Sequence, residues 1–99
     1  MADERQIATA QANGDSTGVE ISRFGHLTES HLRTLFVTGT FNGATVKYQV
    51  SNDDITYFDV IGADAITTDR AINVEHRAQY HRVNVAGGGG SEAIDAYVI

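Results

Sequence analysis

Four histidines, thirteen acidic residues and no cysteine define the side-chain chemistry open to this 99-residue chain. Without a thiol there is no disulfide, no thiolate ligand and no Cys nucleophile, so a metal site would rest on imidazole and carboxylate. His76 and His81 flank an expected turn between two strands, where their rings can approach each other. Zinc nonetheless takes three or four protein ligands as a rule, and His26 and His31, five residues apart, add no ligand spacing. Histidines held at the surface by solvent or hydrogen bonds are the simpler reading. Asp53, Asp54 and Asp59 could supply oxygen ligands to calcium. The alternating ligands, central Gly and terminal Glu of an EF-hand loop are missing, however, and Asp in such a run more simply shapes a turn.

Nucleophilic chemistry finds no better footing. Ser16, Ser22, Ser30, Ser51 and Ser91 all stand outside a Gly-x-Ser-x-Gly elbow, and carboxylates pair only as sequence neighbours. The run Gly87-Gly88-Gly89-Gly90-Ser91 lacks the spaced Gly, Lys and Ser or Thr of a phosphate loop, and a strand pattern follows it where a helix N-terminus would be needed. It reads as a flexible loop between the last two strands. The chain is therefore expected to hold no metal and no cofactor, and not to be an enzyme.

Charge narrows the partners. Net charge is −6 and the seven Lys and Arg residues are scattered singly, whereas nucleic-acid binders display a basic stripe. Direct contact with nucleic acid is not expected. No apolar run approaches the roughly 20 residues of a membrane-spanning helix, and the charged opening MADERQ, with no apolar segment after it, argues against a signal peptide. The absence of cysteine fits assembly in a reducing cytoplasm.

The elements that must position these residues are strands. Val, Ile, Thr, Tyr and Phe are spread along the whole length, and turn residues recur at short intervals. Hydrophobic content of 41% against 20% charged is that of a globular protein, not a disordered one. Strands are expected near residues 6–12, 19–22, 32–41, 44–50, 55–61, 71–76, 81–86 and 93–98, with one helical turn near 28–32 as the only helical candidate. The link 62–70 is a candidate crossing between sheets. The fold class is all-β: residues 1–99 as one antiparallel β-sandwich of about eight strands, jelly-roll or Ig-like, with 1–5 as an N-terminal arm. Val37, Val46, Val50, Ile72, Val74, Val83 and Val85 should face inward, and Tyr48 shares their row. Tyr57 and Phe58 are adjacent, so only one of them can.

Residues 39–60, GTFNGATVKYQVSNDDITYFDV, read as the densest part of the chain. Asn42-Gly43 is a two-residue hairpin signal, Ser51-Asn52-Asp53-Asp54 is a second turn, and the three strands they join make a β-meander. The run Gly39-x-Phe41-x-Gly43-Ala44-x-Val46-x-x-Gln49-x-Ser51-x-Asp53-x-x-x-Tyr57-x-x-Val60 resembles a pattern of small virion proteins of tailed bacteriophages. In that pattern a strand ending in Gln-x-Ser leads into a Ser-Pro-Asp-Gly-type turn and a strand opening on Thr-Trp. Here Asn52, Asp54 and Tyr57 replace the Pro, Gly and Trp. A looser likeness continues through Arg82-Val83-Asn84-Val85 and the Gly87–Gly90 loop.

The resemblance implies a structural protein of the virion, assembled in the host bacterial cytoplasm: a capsid decoration or cement protein that bridges major capsid protein subunits. Such proteins associate with themselves as well, often as trimers. A tail, neck or fibre-base protein is the alternative position in a particle. A small carbohydrate-binding β-sandwich is the alternative of another class, its rings drawn from Tyr48, Tyr57, Phe58, Tyr80 and Tyr97. Contact candidates are Arg23, Phe24, His26 and Leu27, which mix apolar anchors with polar company as interface centres do, together with Tyr97 and Ile99 on the last strand.

Overall fold

Alternation of side chains across the pleat decides which face of each strand is buried. In β5 (Thr45–Ser51), Val46 and Tyr48 are buried while Lys47 and Gln49 are not. In β8 (Tyr80–Ala86), His81, Val83 and Val85 point in and Arg82 and Asn84 point out. The same rhythm buries Ile94, Ala96 and Val98 in β9 (Ala93–Val98) and Leu35 and Val37 in β4 (Leu32–Thr40). The computed structural model describes residues 5–20, 32–75 and 78–98, and completes the set with β1 (Arg5–Gln11), β2 (Gly14–Asp15), β3 (Val19–Glu20), β6 (Phe58–Asp59) and β7 (Arg70–Glu75).

These nine strands form two antiparallel sheets packed face to face. Sheet A runs β1-β9-β4-β7. Sheet B runs β2-β8-β5-β6, with β3 also pairing β8. The inner faces meet in one core that includes Leu35, Val37, Val46, Tyr48, Ile66, Val83, Val85 and Ile94, with Val50 and Ile72 packed against it half-buried. The all-β sandwich expected from sequence is present, and no helix occurs among the described residues. The inward set is as expected: five of the seven named positions are buried and Val50 and Ile72 are the half-buried two. The last strand is not a loose tail. β9 lies inside sheet A with β1 on one side and β4 on the other.

Three expectations need correction. The meander does not form, because β4 and β5 lie in different sheets: β4 is flanked by β9 and β7, and β5 by β8 and β6. Asn42 and Gly43 both have positive φ (48° and 88°), and Ala44 N–H donates to the Phe41 carbonyl at 2.8 Å. That is the geometry of a type I′ turn, but it carries the chain across the core. Turn chemistry fixes the local bend, not which strand lies alongside. The strand expected over 55–61 shrinks to Phe58–Asp59, because Asp53 binds the N–H groups of Ile55 and Thr56 and holds that stretch in the turn. His81 is fully buried, not a surface histidine: its Nδ1 lies 3.0 Å from the Tyr48 hydroxyl in the core.

The link after β6 does cross from sheet B to sheet A, as expected. On its way it runs beside β5, where Val46 and Ile66 exchange both backbone hydrogen bonds and Tyr48 N–H donates to the Ala63 carbonyl. Burying Ala63 and Ile66 covers the end of the core that two-residue β6 leaves open.

Candidate contact surface

Within residues 39–60 the polar side chains build the turn and tie its strands together. Ser51 Oγ accepts the N–H groups of Asp53 and Asp54 at 3.1 and 3.0 Å and donates to Asp53 Oδ1 at 2.9 Å. Asp53 Oδ1 in turn accepts from Ile55 and Thr56. Ser-x-Asp is thus a mutual clasp of one turn, and the turn-chemistry reading of Asp53 is correct. The Thr56 and Ile55 N–H groups, with the Ser51 hydroxyl, hold the Asp53 carboxyl below the usual carboxylate range. Gln49 ties three strands together, donating to Asp59 Oδ1 at 2.8 Å and accepting from Arg82 Nε at 2.8 Å. Tyr57 lies under Arg82, whose guanidinium carbon sits 3.9 Å from the ring centroid, and its hydroxyl donates to Asp54. Burial and that acidic partner push the Tyr57 hydroxyl above its ordinary value. The pattern therefore encodes a fold-building unit, and its polar atoms are spent inside the protein.

The outer face of sheet B extends this network. Arg82 reaches Asp15 at 3.4 Å, Asn84 donates to Asp15 at 2.7 Å, and Lys47 pairs with Asp59 at 3.8 Å. Exposed pairs of this kind contribute about 1 kcal/mol or less each, and their effect is to set strand register.

The outer face of sheet A is different. Phe36 on β4 and Tyr97 on β9 sit directly opposite each other and stack, with centroids 5.0 Å apart and planes 14° from parallel. Both are half-exposed. Gln6 on β1 and Ala71 on β7 complete the row across the sheet. Thr34, which donates to Asn73 at 3.0 Å, and Asp95, which accepts from the Ala10 N–H at 2.8 Å, flank it. Beyond them, β7 pairs only with β4 among the described residues.

No protein-family model, no curated protein and no solved structure matches this chain.

Of the contact candidates read from sequence, Tyr97 is on this face. Arg23, Phe24, His26, Leu27 and Ile99 lie outside the described residues, as do His31, His76 and residues 1–4 of the expected arm. The helical turn near 28–32 does too, save Leu32, which opens β4. Among the described residues no group of three or more His, Asp or Glu side chains could hold a metal ion. Sequence reasoning passed over Phe36. Its signal was available: it sits out of phase with Leu35 and Val37, so one more step of the alternation turns it outward.

The glycine loop is a held structure. Glu92, only 5% exposed, accepts the Gly90 N–H at 2.8 Å through one oxygen and the Asn13 N–H at 2.9 Å through the other. Gly89 N–H donates to the Asn42 carbonyl, and Gly88 N–H to the Asn13 side chain. Its own N–H, then those of Gly90 and Asn13, keep the Glu92 carboxyl below the ordinary range. A carboxylate lowered in the fold stabilises above its unfolded-state pKa, and the contribution fades as pH falls through the folded one. Glu92→Gln is accordingly expected to lower the urea midpoint at neutral pH. The gap from the parent should close on acidification to about pH 2, well below the unperturbed Glu value near 4.3. A gap that stays constant would mean that shape, not charge, holds the loop.

Proposed function

We propose that this chain is a non-catalytic structural domain of a tailed-phage particle, a capsid decoration protein that bridges major capsid protein subunits through the outer face of sheet A. The observation that carries the reading is the stacked Phe36–Tyr97 pair, half-exposed on the outer face of sheet A. Aromatic side chains at the centre of a polar-rimmed patch are the usual anchors of a protein interface. A patch repeated over a symmetric lattice gains avidity from the number of copies, so each contact can be weak. The pattern over residues 39–60 supports the same assignment by resemblance, and net charge of −6 suits a protein that meets coat rather than packaged nucleic acid.

One feature favours a second reading, the carbohydrate-binding sandwich. Gln6, Thr34, Asn73 and Asp95 place hydrogen-bonding groups around the same two rings, which is how sugars are held. The two readings separate in one experiment. Purified protein is added to expanded shells lacking it, and binding and shell melting are followed for the parent and for Phe36→Ala and Tyr97→Ala. Saturable binding with a raised melting temperature, reduced at least tenfold in each variant, is the expected result. No binding to shells, with clear binding on a glycan array that both variants lose, transfers the face to the sugar reading.

A further inference from the structure

Isolated apolar side chains on a protein surface are ordinary, but those of this chain are not scattered. Among the described residues, the large hydrophobic side chains that remain exposed are Ile55 at 80%, Phe58 at 65% and Ile61 at 94%, all within seven residues of sequence. They fall on the turn before β6, on β6 itself and just after it, along the edge of sheet B. An open hollow of about 290 Å³ lies beside Phe58, floored by Val50 and Ser51 and bounded by Ala78. Of its four polar side chains, Ser51 and Asp53 already bond within the turn; Asn52 and Thr56 line it as well, beside the apolar Val50, Phe58 and Ala78.

The segment's own charge is one-sided, although Arg82 over Tyr57 and Lys47 beside Asp59 bring two cations against it from the neighbouring strands. Residues 52–69 contain five Asp and no Lys or Arg. Among the described residues only Asp59 of the five has a cation partner, Lys47. Asp53, Asp54 and Asp69 are exposed and Asp64 half-exposed. Clustered exposed apolar surface marks an interaction site, and the excess of carboxylates along the segment selects what can approach it. An isologous contact with a second copy would bring the same patch against itself and set Asp against Asp. Nucleic acid and anionic lipid are repelled for the same reason.

We infer that the edge formed by Ile55, Phe58 and Ile61 is a second docking surface, for a different protein whose apolar side chains are ringed by Lys and Arg. The hollow beside Phe58 receives one of those apolar side chains, and Asp54 and Asp64 face the basic ring. The inference stands apart from the virion reading, since it rests on a different sheet and on charge rather than on the aromatic pair.

The test uses three short synthetic peptides titrated into the full-length isotope-labelled protein and followed by NMR: one of leucines spaced among lysines, one with glutamate for lysine, one with serine for leucine. The Lys–Leu peptide is expected to bind saturably, to shift amide signals within 52–64 and around 78, and to weaken as salt rises. Phe58→Ser/Ile61→Ser, at positions too exposed to disturb the fold, should weaken it about tenfold or more, and Asp54→Asn/Asp64→Asn severalfold. Failure of the Lys–Leu peptide to bind overturns the inference. Equal binding of the Lys–Ser peptide reduces the surface to bulk charge, and equal binding of the Glu–Leu peptide to bulk stickiness; either overturns it. Self-association in sedimentation that Phe58→Ser/Ile61→Ser abolishes would assign the patch to a second copy and overturn it as well.

Discussion

Replacing Val83 with Asp is expected to abolish folding. Val83 is fully buried at the centre of β8, directly opposite Tyr48 on β5. Its N–H donates to the buried Ser16 hydroxyl at 2.9 Å and its carbonyl accepts the Ser16 N–H at 2.9 Å. The backbone there is pinned on both edges and cannot swing the new side chain to solvent. An unpaired carboxylate in such a site costs several kcal/mol even after relaxation, and a 99-residue domain has roughly 5–15 kcal/mol in all. The β-type circular dichroism spectrum and cooperative urea transition should both vanish. Ala86→Asp, exposed at the end of the same strand, should leave stability within about 0.5 kcal/mol. A Val83→Asp protein as heat-resistant as the parent would mean that the phase of β8 is wrong.

That prediction follows from the sequence alone, and the reason is instructive. Alternation reports which side of a strand is apolar, and in β8, β9 and β5 up to Gln49 each residue keeps its place in the pleat, while Ser51, in phase with the outward residues of β5, is buried. What alternation does not report is the neighbour. Six of the eight connections between the described strands change sheet, so among the described residues only β5 and β6 pair as strands adjacent in sequence joined by a short turn. Asn42-Gly43 has the hairpin dihedral angles without the hairpin. Gly14–Asp15 falls between two strands expected from sequence, yet it pairs with Val85 and Asn84 as β2.

The surface was less legible than the core. Ile55 and Ile61 looked like strand residues, half of them to be buried, because β-branched residues near an aromatic pair fit a pleated strand. The Asp53 clasp overrides that preference with hydrogen bonds to Ile55 and Thr56. His81 misled in the other direction: a polar residue beside a turn reads as exposed, but it lies opposite Val50 and Val19, where the alternation of β8 directs it into the core. Tyr97 and Phe36 become a pair only through the β4–β9 register, which joins positions 61 residues apart. No local signal carries that.

The second large effect is expected at Gly39, the first residue of the phage-like pattern. Its φ is +129°, a backbone region essentially closed to side chains, and it sits opposite Ile94 on β9. A Cβ built there would strike the Ala93 carbonyl oxygen, a backbone atom held in the ladder. Gly39→Ala therefore combines backbone strain of about 1–3 kcal/mol with an overpacking cost of about 1–3 kcal/mol, and neither relaxes by moving a flexible side chain. The sum, about 2–6 kcal/mol, corresponds to a fall in Tm of at least about 8 °C for a domain of this size. Thr38→Ala, exposed on the same strand, should change Tm by only a few degrees. If Gly39→Ala melts with the parent, β4 and β9 do not approach as closely as this register requires. The Phe36–Tyr97 stack three rungs away would then lose the geometry on which the contact face depends, so thermal melting of this one variant tests the fold and the proposed surface together.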